Sequence, residues 1–131
     1  MNRLAIMLIV AGCTGSANYF IPYAPKSGPA DEGDHRRAVL ALTDLGKTIE
    51  TNDPASGIVV TAWEPGRGFG QEKTSRYRFR VSIDAGRYDV AALCQTFTDT
   101  LGDDDWQNCE DVTKLPRWAV ETTEKVATAL E

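Results

Sequence analysis

The sequence predicts a small α+β domain in which a helix, a three-stranded antiparallel meander and a second helix follow one another, with both helices on one face of the sheet. A segment near each end of this domain repeats apolar residues every three or four positions, which is typical of an amphipathic helix. Three segments between them are rich in β-branched or aromatic residues. An apolar sheet face must be covered, and two helices of about 15 residues can cover it.

The length and charge of the chain limit the classes of protein to which it can belong. It has 131 residues, which is enough for one domain with short tails. Asp and Glu outnumber Lys and Arg by 19 to 14, which argues against nucleic acid as a partner because phosphate contacts need a basic surface. The sequence contains no apolar run of the roughly 20 residues that a membrane-spanning helix needs.

Residues 1–12 have the features of a signal peptide. Arg3 is followed by an apolar run over residues 4–11, which has the length of the hydrophobic region of a leader and is too short to span a bilayer. The sequence Val10-Ala11-Gly12-Cys13 resembles the lipobox of bacterial lipoproteins. An ordinary cleaved leader followed by a chance cysteine is the alternative.

The lipobox resemblance implies a modification and a location. Cys13 would be acylated on its thiol, for example with palmitate, and would become the mature N-terminus that anchors the protein to the membrane. In such lipoproteins Asp after the cysteine retains the protein in the inner membrane. Thr14 therefore favours the outer membrane, with the domain in the periplasm.

Residues 13–33 are interpreted as the lipidated N-terminus and a flexible tether, because they contain Pro and Gly without helical or alternating periodicity. The segment Tyr19-Phe20-Ile21-Pro22-Tyr23 is unusually apolar for a linker. Its aromatic residues, Tyr19, Phe20 and Tyr23, are candidate contacts with a partner. Alternatively, these rings lie on the domain or touch the bilayer surface.

Residues 34–131 are predicted to form the single domain, which begins with a helix from Asp34 to Glu50. Asp34 is the predicted N-cap, and an apolar stripe runs along the helix to Ile49. Pro54 disfavours helical geometry at Asp53 and should end the helix. A last helix is predicted to begin at Leu115-Pro116, and its stripe consists of Ala119, Thr122, Val126, Ala129 and Leu130.

The three predicted strands are Gly57 to Trp63, Lys73 to Ile83 and Tyr88 to Phe97. The second alternates strictly between apolar and arginine or serine side chains, so one of its faces is buried and the other is wet. The apolar sets of the second and third strands share a face only if the numbers of opposed residues sum to 171. That register pairs Ile83 with Tyr88 and requires a two- or four-residue turn within 84–87.

Cys94 and Cys109 remain as an even pair once Cys13 carries lipid, and we predict a disulfide between them. The bridge would close a polar, acidic loop that buries too little to hold itself. A zinc site or a thiol-catalytic pair does not fit, since the spacing is not Cys-x-x-Cys and no histidine is near.

The element order, the size and the lipid anchor together resemble the helix-grip domains of a lipoprotein component of the outer-membrane β-barrel assembly machinery. No residue motif accompanies this resemblance, so it assigns no residue roles.

Arg76, Arg78 and Arg80 are the main candidate interaction residues. They lie about 7 Å apart along one face of the second strand, since a strand rises about 3.3 Å per residue. This basic stripe suits an envelope protein or another anionic envelope component, because guanidinium groups bind phosphates and carboxylates. Alternatively, the face is only solvated and is paired with Asp84, Asp89 or Glu64.

Other residue patterns that suggest chemistry are weak. His35 is the only histidine and forms no catalytic set with Ser, Cys or an acid. The run Gly66-Arg67-Gly68-Phe69-Gly70 precedes a strand and not the helix that a phosphate-binding loop needs. Asp99–Glu110 has Leu101 and Asp104 where a calcium-binding loop wants an oxygen ligand and Gly. We therefore predict no metal and no cofactor.

The sequence favours a non-enzymatic, lipid-anchored envelope protein that binds another envelope component, as an accessory subunit does. The arginine stripe, the aromatic tether segment or both would make the contact. The alternative function is a periplasm-facing module that binds a small molecule or a lipid in a groove between helices and sheet. A hydrolase is disfavoured because the sequence lacks a catalytic motif.

Overall fold

The computed structural model describes residues 26–67, 75–100, 103–109 and 115–131, with the backbone alone at 98–100 and 103–105. The leader with Cys13, the aromatic tether segment and Gly68–Gly70 lie outside the described residues. The elements are β1 (Lys26–Pro29), α1 (Asp34–Asp44), β2 (Ile49–Asp53), β3 (Ile58–Thr61), β4 (Glu64–Pro65), β5 (Ser75–Asp84), β6 (Arg87–Thr100), β7 (Asp103–Asn108) and α2 (Arg117–Leu130).

The domain is α+β, as predicted, but its sheet is larger than three strands. The strand order is β1-β6-β5-β3-β2, with β4 beside β5 and β7 beside β6, so seven strands lie within the described ranges. All of the pairings are antiparallel. The predicted strands correspond to β3, β5 and β6, which are neighbours in this sheet. The prediction of only three strands is wrong.

The register between β5 and β6 is the predicted one. Ile83 pairs with Tyr88 and Val81 with Val90, and the strands are joined by the two-residue turn Ala85-Gly86. The φ angles of these two residues are 53° and 76°. Positive φ at both central positions is the geometry of a type I′ turn, whose twist matches that of a hairpin.

Helix α1 is shorter than predicted because a glycine ends it. Gly46 has a φ of 83°, and its N–H donates to the Thr43 carbonyl while the Lys47 N–H donates to the Leu42 carbonyl. This pair of bonds is a Schellman motif, which satisfies the last carbonyls of a helix. The chain then enters β2, so the prediction of helix up to Glu50 is wrong.

The beginning of the domain also differs from the prediction. Lys26–Pro29, assigned to the tether, forms β1 and pairs with β6. The residue that caps α1 is Gly33, and Asp34 is the first residue of the helix. The Asp34 carboxylate accepts hydrogen bonds from the Asp31 N–H and from Arg37, so it ties the incoming loop to the helix instead of capping free N–H groups.

The acidic segment between the two cysteines is a hairpin and not a loop. Strand β6 continues to Thr100, and β7 returns beside it with Gln95 opposite Asn108. A disulfide joins Cys94 to Cys109, as predicted, with 5.4 Å between the two Cα atoms. The Cys109 N–H also donates to the Cys94 carbonyl at 2.9 Å. The bridge therefore closes the base of the hairpin.

The core contains side chains from both helices and from one face of the sheet. Alternate residues of β5 and β6 contribute to it because side chains on a strand change face at every residue. Helix α2 begins after Pro116 and buries most of its predicted stripe, although Ala129 is exposed. The fully or almost fully buried members include Ala38, Leu42, Val59, Phe79, Val81, Val90, Ala119 and Val126.

Gly57 gives a test of the connection between β2 and β3. Its φ is 74°, and a Cβ added there would lie 2.1 Å from the Ile83 carbonyl oxygen. Gly86 has a similar φ of 76°, with open space around it. We expect Gly86→Ala to lower the free energy of unfolding by about 1 kcal/mol, the cost of a left-handed alanine. Gly57→Ala should cost about 3 kcal/mol, because the clash adds to that strain.

Urea unfolding of the full chain would measure both variants. Equal losses in the two variants would contradict the close contact between Gly57 and β5.

Candidate functional site

The sheet face opposite the core carries alternating arginines and tryptophans, and we call Trp63, Arg76, Arg78 and Trp106 the arginine–tryptophan stack. The Arg76 Cζ lies 4.1 Å from the centroid of the Trp63 ring and 4.3 Å from that of the Trp106 ring. The Arg78 Cζ lies 4.5 Å from the Trp63 ring. Such contacts attract a cation to the negative face of an aromatic ring.

A β-bulge brings Trp63 to this face. Val60 pairs with Arg80, and Glu64 pairs with Tyr77, so four steps along the β3–β4 segment oppose three steps along β5. One extra residue therefore lies between the two pairs, and it reverses which side chains face the core. Without it Trp63 would lie opposite Tyr77, on the core face. The Thr61 hydroxyl accepts a hydrogen bond from the Phe79 N–H at 2.9 Å beside this irregularity.

The β6–β7 hairpin brings the second tryptophan. Trp106 pairs with Phe97 across the two strands, and their ring centroids are 5.2 Å apart. Strand β5 lies between β4 on one side and β6 with β7 on the other. Trp63 and Trp106 therefore approach Arg76 from opposite sides. The disulfide fixes the start of the hairpin that carries Trp106.

Arg76 is held by an amide relay as well as by the rings. Its Nε and Nη2 atoms donate to the Gln95 Oε1 atom at 2.9 and 2.6 Å. The Gln95 Nε2 atom in turn donates to the Asn108 Oδ1 atom at 3.0 Å. Burial lowers the pKa of the Arg76 guanidinium, and the neighbouring charge of Arg78 lowers it further. Arg76 is therefore a partly desolvated cation that is bound to a neutral amide.

The other two arginines have acidic neighbours. Arg78 Nη1 lies 3.2 Å from the Glu50 carboxylate, which a second bulge in β2, between Ile49 and Thr51, presents to this face. Burial lowers the pKa of Arg80, while the charge of Asp89 opposes that shift. Of the predicted acidic partners, Asp89 lies near an arginine of the stripe, whereas Glu64 does not.

Glu64 belongs to a charged cluster on the core face. Its carboxylate binds Lys47 Nζ at 2.9 Å and Arg67 Nη2 at 3.5 Å. The Lys47 side chain is 5% exposed and lies over the rings of Phe79 and Trp118. Arg67 also stacks on Trp118, with 4.0 Å to the ring centroid. The buried ammonium of Lys47 therefore has the carboxylate partner that a buried charge needs.

A cleft of about 380 Å³ opens between β1, the start of α1 and the end of α2. The hydroxyl-bearing ring of Tyr88 and the carboxylate of Asp34 line it, and both residues are almost completely buried. Burial raises the pKa of Tyr88, and the charges of Glu131 and Asp34 raise it further. The cleft is therefore acidic. Its remaining lining residues are Pro29, Ala30, Asp31, Leu130 and Glu131.

His35, the candidate histidine, joins two elements of the fold. The His35 Nε2 atom lies 2.7 Å from the Asn52 Oδ1 atom, which ties α1 to β2. The described residues contain no group of three or more His, Cys, Asp or Glu side chains that could hold a metal ion. In the same described ranges, no helix is long and apolar enough to cross a membrane.

Sequence reasoning found the three arginines but missed most of their surroundings. In the predicted register the numbers of opposed residues in β5 and β6 sum to 171, which places Gln95 opposite Arg76. That partner could therefore have been predicted from the sequence. The contacts of Trp63 and Glu50 could not have been predicted, because each depends on a β-bulge. The alternation of apolar and polar residues along a strand does not reveal a bulge. Trp106 depends on a hairpin within a segment that looked like an acidic loop. Tyr19, Phe20 and Tyr23 lie outside the described residues.

Comparison with known proteins gives no family: the sequence matches no protein-family model and has no significant match among curated proteins.

A double-mutant cycle between Trp63 and Arg76 would test the stack. The variants Trp63→Leu and Arg76→Met keep apolar side chains but remove the cation–ring contact. We expect a coupling free energy of about 1 kcal/mol, the range of a partly desolvated pair. The pair Trp63→Leu and Arg37→Met is the control, since Arg37 is at the start of α1. A coupling of Arg76 no larger than that of Arg37 would contradict the contact.

The disulfide should stabilise the surface that carries Trp106. We expect the double variant Cys94→Ser/Cys109→Ser to lose about 3 kcal/mol of unfolding free energy, because a loop of that length becomes free in the unfolded chain. Urea unfolding, followed by tryptophan fluorescence, would measure the loss. Cys13→Ser is the matched control, and its free energy of unfolding should equal that of the natural chain. Equal stability of the double variant and the control would show that the bridge does not stabilise the domain.

Proposed function

We propose that this protein is a non-enzymatic, lipid-anchored protein of the outer membrane that binds another envelope component as an accessory subunit. The acylated Cys13 holds it in the membrane, and the domain, which begins with β1 at Lys26, lies in the periplasm in two layers, with both helices on one sheet face. The lipobox resemblance supports the anchor. The shared core of α1, α2 and one sheet face supports the layering.

The single observation that carries the proposed binding role is the arginine–tryptophan stack. Tryptophan and arginine are the residues most enriched at the energetic centres of protein interfaces. Here they alternate on one face of a sheet whose other face packs on the core. A cation held between rings costs some desolvation, and a partner that supplies negative charge recovers it.

The tether segment with Tyr19, Phe20 and Tyr23 is part of the same proposal. It lies between the proposed anchor and β1, so it could reach the same partner. Its contribution can be separated from that of the stack by deleting residues 19–23 alone.

Co-purification from native envelopes tests the role. We expect the C-terminally tagged full chain, extracted in mild detergent, to retain a stoichiometric partner. Arg76→Gln/Arg78→Gln should lose it, because both cations that touch Trp63 are removed. Arg67→Gln is the matched control, since Arg67 stacks on Trp118 at the core face, and it should keep the partner. The variant Cys13→Ser should be absent from the membrane fraction, because it lacks the thiol that carries the lipid.

If no partner co-purifies with the acylated protein, or if the arginine variant retains it as well as the control does, the accessory role is wrong.

The acidic cleft beside Tyr88 supports a second candidate, the binding of a small molecule. Its three carboxylates, Asp31, Asp34 and Glu131, share one bound cation among the described residues, because Arg37 pairs with the first two, so the cleft suits a small organic cation better than a fatty acid. An acylated protein that purifies without a protein partner would favour this candidate.

A further inference from the structure

Arg76 differs from its two neighbours in how its charge is balanced. Arg78 binds Glu50, and Asp89 acts on Arg80. The hydrogen-bond acceptor of Arg76, among the described residues, is the neutral amide of Gln95. The part of the chain that the structure describes therefore gives Arg76 no carboxylate.

The bonds to Gln95 use one edge of the guanidinium group. Nε and Nη2 both point at the same oxygen, Gln95 Oε1. Nη1 and the second hydrogen of Nη2 form the other edge, and the hydrogen bonds of Arg76 to described residues leave that edge unused. Two parallel N–H groups along one edge match the two oxygens of a carboxylate.

The free edge is also fixed in direction. Both indoles contact the Arg76 guanidinium, with 4.1 and 4.3 Å from its Cζ to the ring centroids, and the Gln95–Asn108 bond holds the amide that orients it. A side chain that is already ordered loses little entropy on binding, which is the main cost of using arginine as a contact.

We propose that the free edge of Arg76 is a receptor for a carboxylate on an acidic segment of a partner protein. The proposal rests on the proposed function, because it names the chemistry of the partner that the stack binds. A carboxylate is planar and continues the plane of the guanidinium between the two rings. A tetrahedral phosphate cannot lie in one plane with the guanidinium, so it fits less well beside the two rings that contact Arg76.

The charge of the chain favours a protein segment over a lipid surface. The formal net charge is −5, so an anionic bilayer repels the protein as a whole. A single acidic side chain that enters between two tryptophans avoids most of that repulsion, because it approaches a cation whose hydrogen-bond acceptor among the described residues is a neutral amide.

Titration of the full chain in mild detergent with a pentaglutamate peptide tests this receptor. We expect the indole N–H resonances of Trp63 and Trp106 to shift while that of Trp118, on the other face, does not. Pentaglutamine should shift none of them. Arg76→Lys keeps the charge but loses the fork, so it should weaken pentaglutamate binding about tenfold, the cost of one charge-assisted bond. Arg67→Lys is the control and should bind as the natural chain does.

Three results would overturn the proposal. The first is a response of Trp118 equal to that of Trp63 and Trp106, which needs no variant to fold. The second is equal binding by Arg76→Lys and the natural chain. The third is tighter binding of inorganic phosphate than of pentaglutamate.

The outcome can be separated from that of the proposed function. Loss of co-purification in Arg76→Gln/Arg78→Gln without any response to pentaglutamate overturns the carboxylate receptor and leaves the accessory role standing. A specific response to pentaglutamate with no protein partner in the envelope overturns the accessory role and leaves the carboxylate-binding edge of Arg76 standing.

Discussion

The sheet face opposite the core is arranged around one interaction, the contact of the Arg76 guanidinium with two indoles. A cation that leaves water loses solvation, and here aromatic faces and a neutral amide replace part of that solvation. The two rings come from segments on either side of β5. The bulge between β3 and β4 supplies Trp63, and the disulfide-closed hairpin supplies Trp106. The bulge and the disulfide-closed hairpin thus both place a tryptophan next to Arg76.

The two faces of the sheet have different tasks because side chains alternate along a strand. One face of β5 packs Tyr77, Phe79 and Val81 against the helices, and Trp118 lies edge-on to the first two. The other face carries the three arginines. Among the described residues, the charged groups that reach the core are paired, Lys47 with Glu64 and Asp34 with Arg37. Arg76, whose described hydrogen-bond acceptor is a neutral amide, lies on the sheet face opposite the core.

The regular parts of this fold could be predicted and the irregular parts could not. Strict alternation gave β5, and parity gave its register with β6, because both follow from a period of two residues. The end of α1 was misjudged since an apolar stripe continues to Ile49, although Gly46 had already reversed the backbone. The bulges near Glu50 and Trp63 change the sheet face on which a residue lies, but they leave no signal in the composition. The sequence therefore predicted the stripe of three arginines but not its contacts with Trp63 and Glu50. The acidic hairpin is held by pairing with β6 and by the disulfide, neither of which hydrophobic periodicity reports.

Site-specific photo-cross-linking in the native envelope tests the central claim most directly. Pro65 is exposed and lies opposite Arg76 across the β4–β5 pairing, so a benzophenone side chain placed there sits beside the stack. Glu121, exposed on α2, is the matched position on the other side of the domain. The account predicts a cross-link from position 65 to one envelope protein, which disappears when Arg76→Gln is added, and no such product from position 121. The same product from both positions, or a product from position 65 that survives Arg76→Gln, would contradict it.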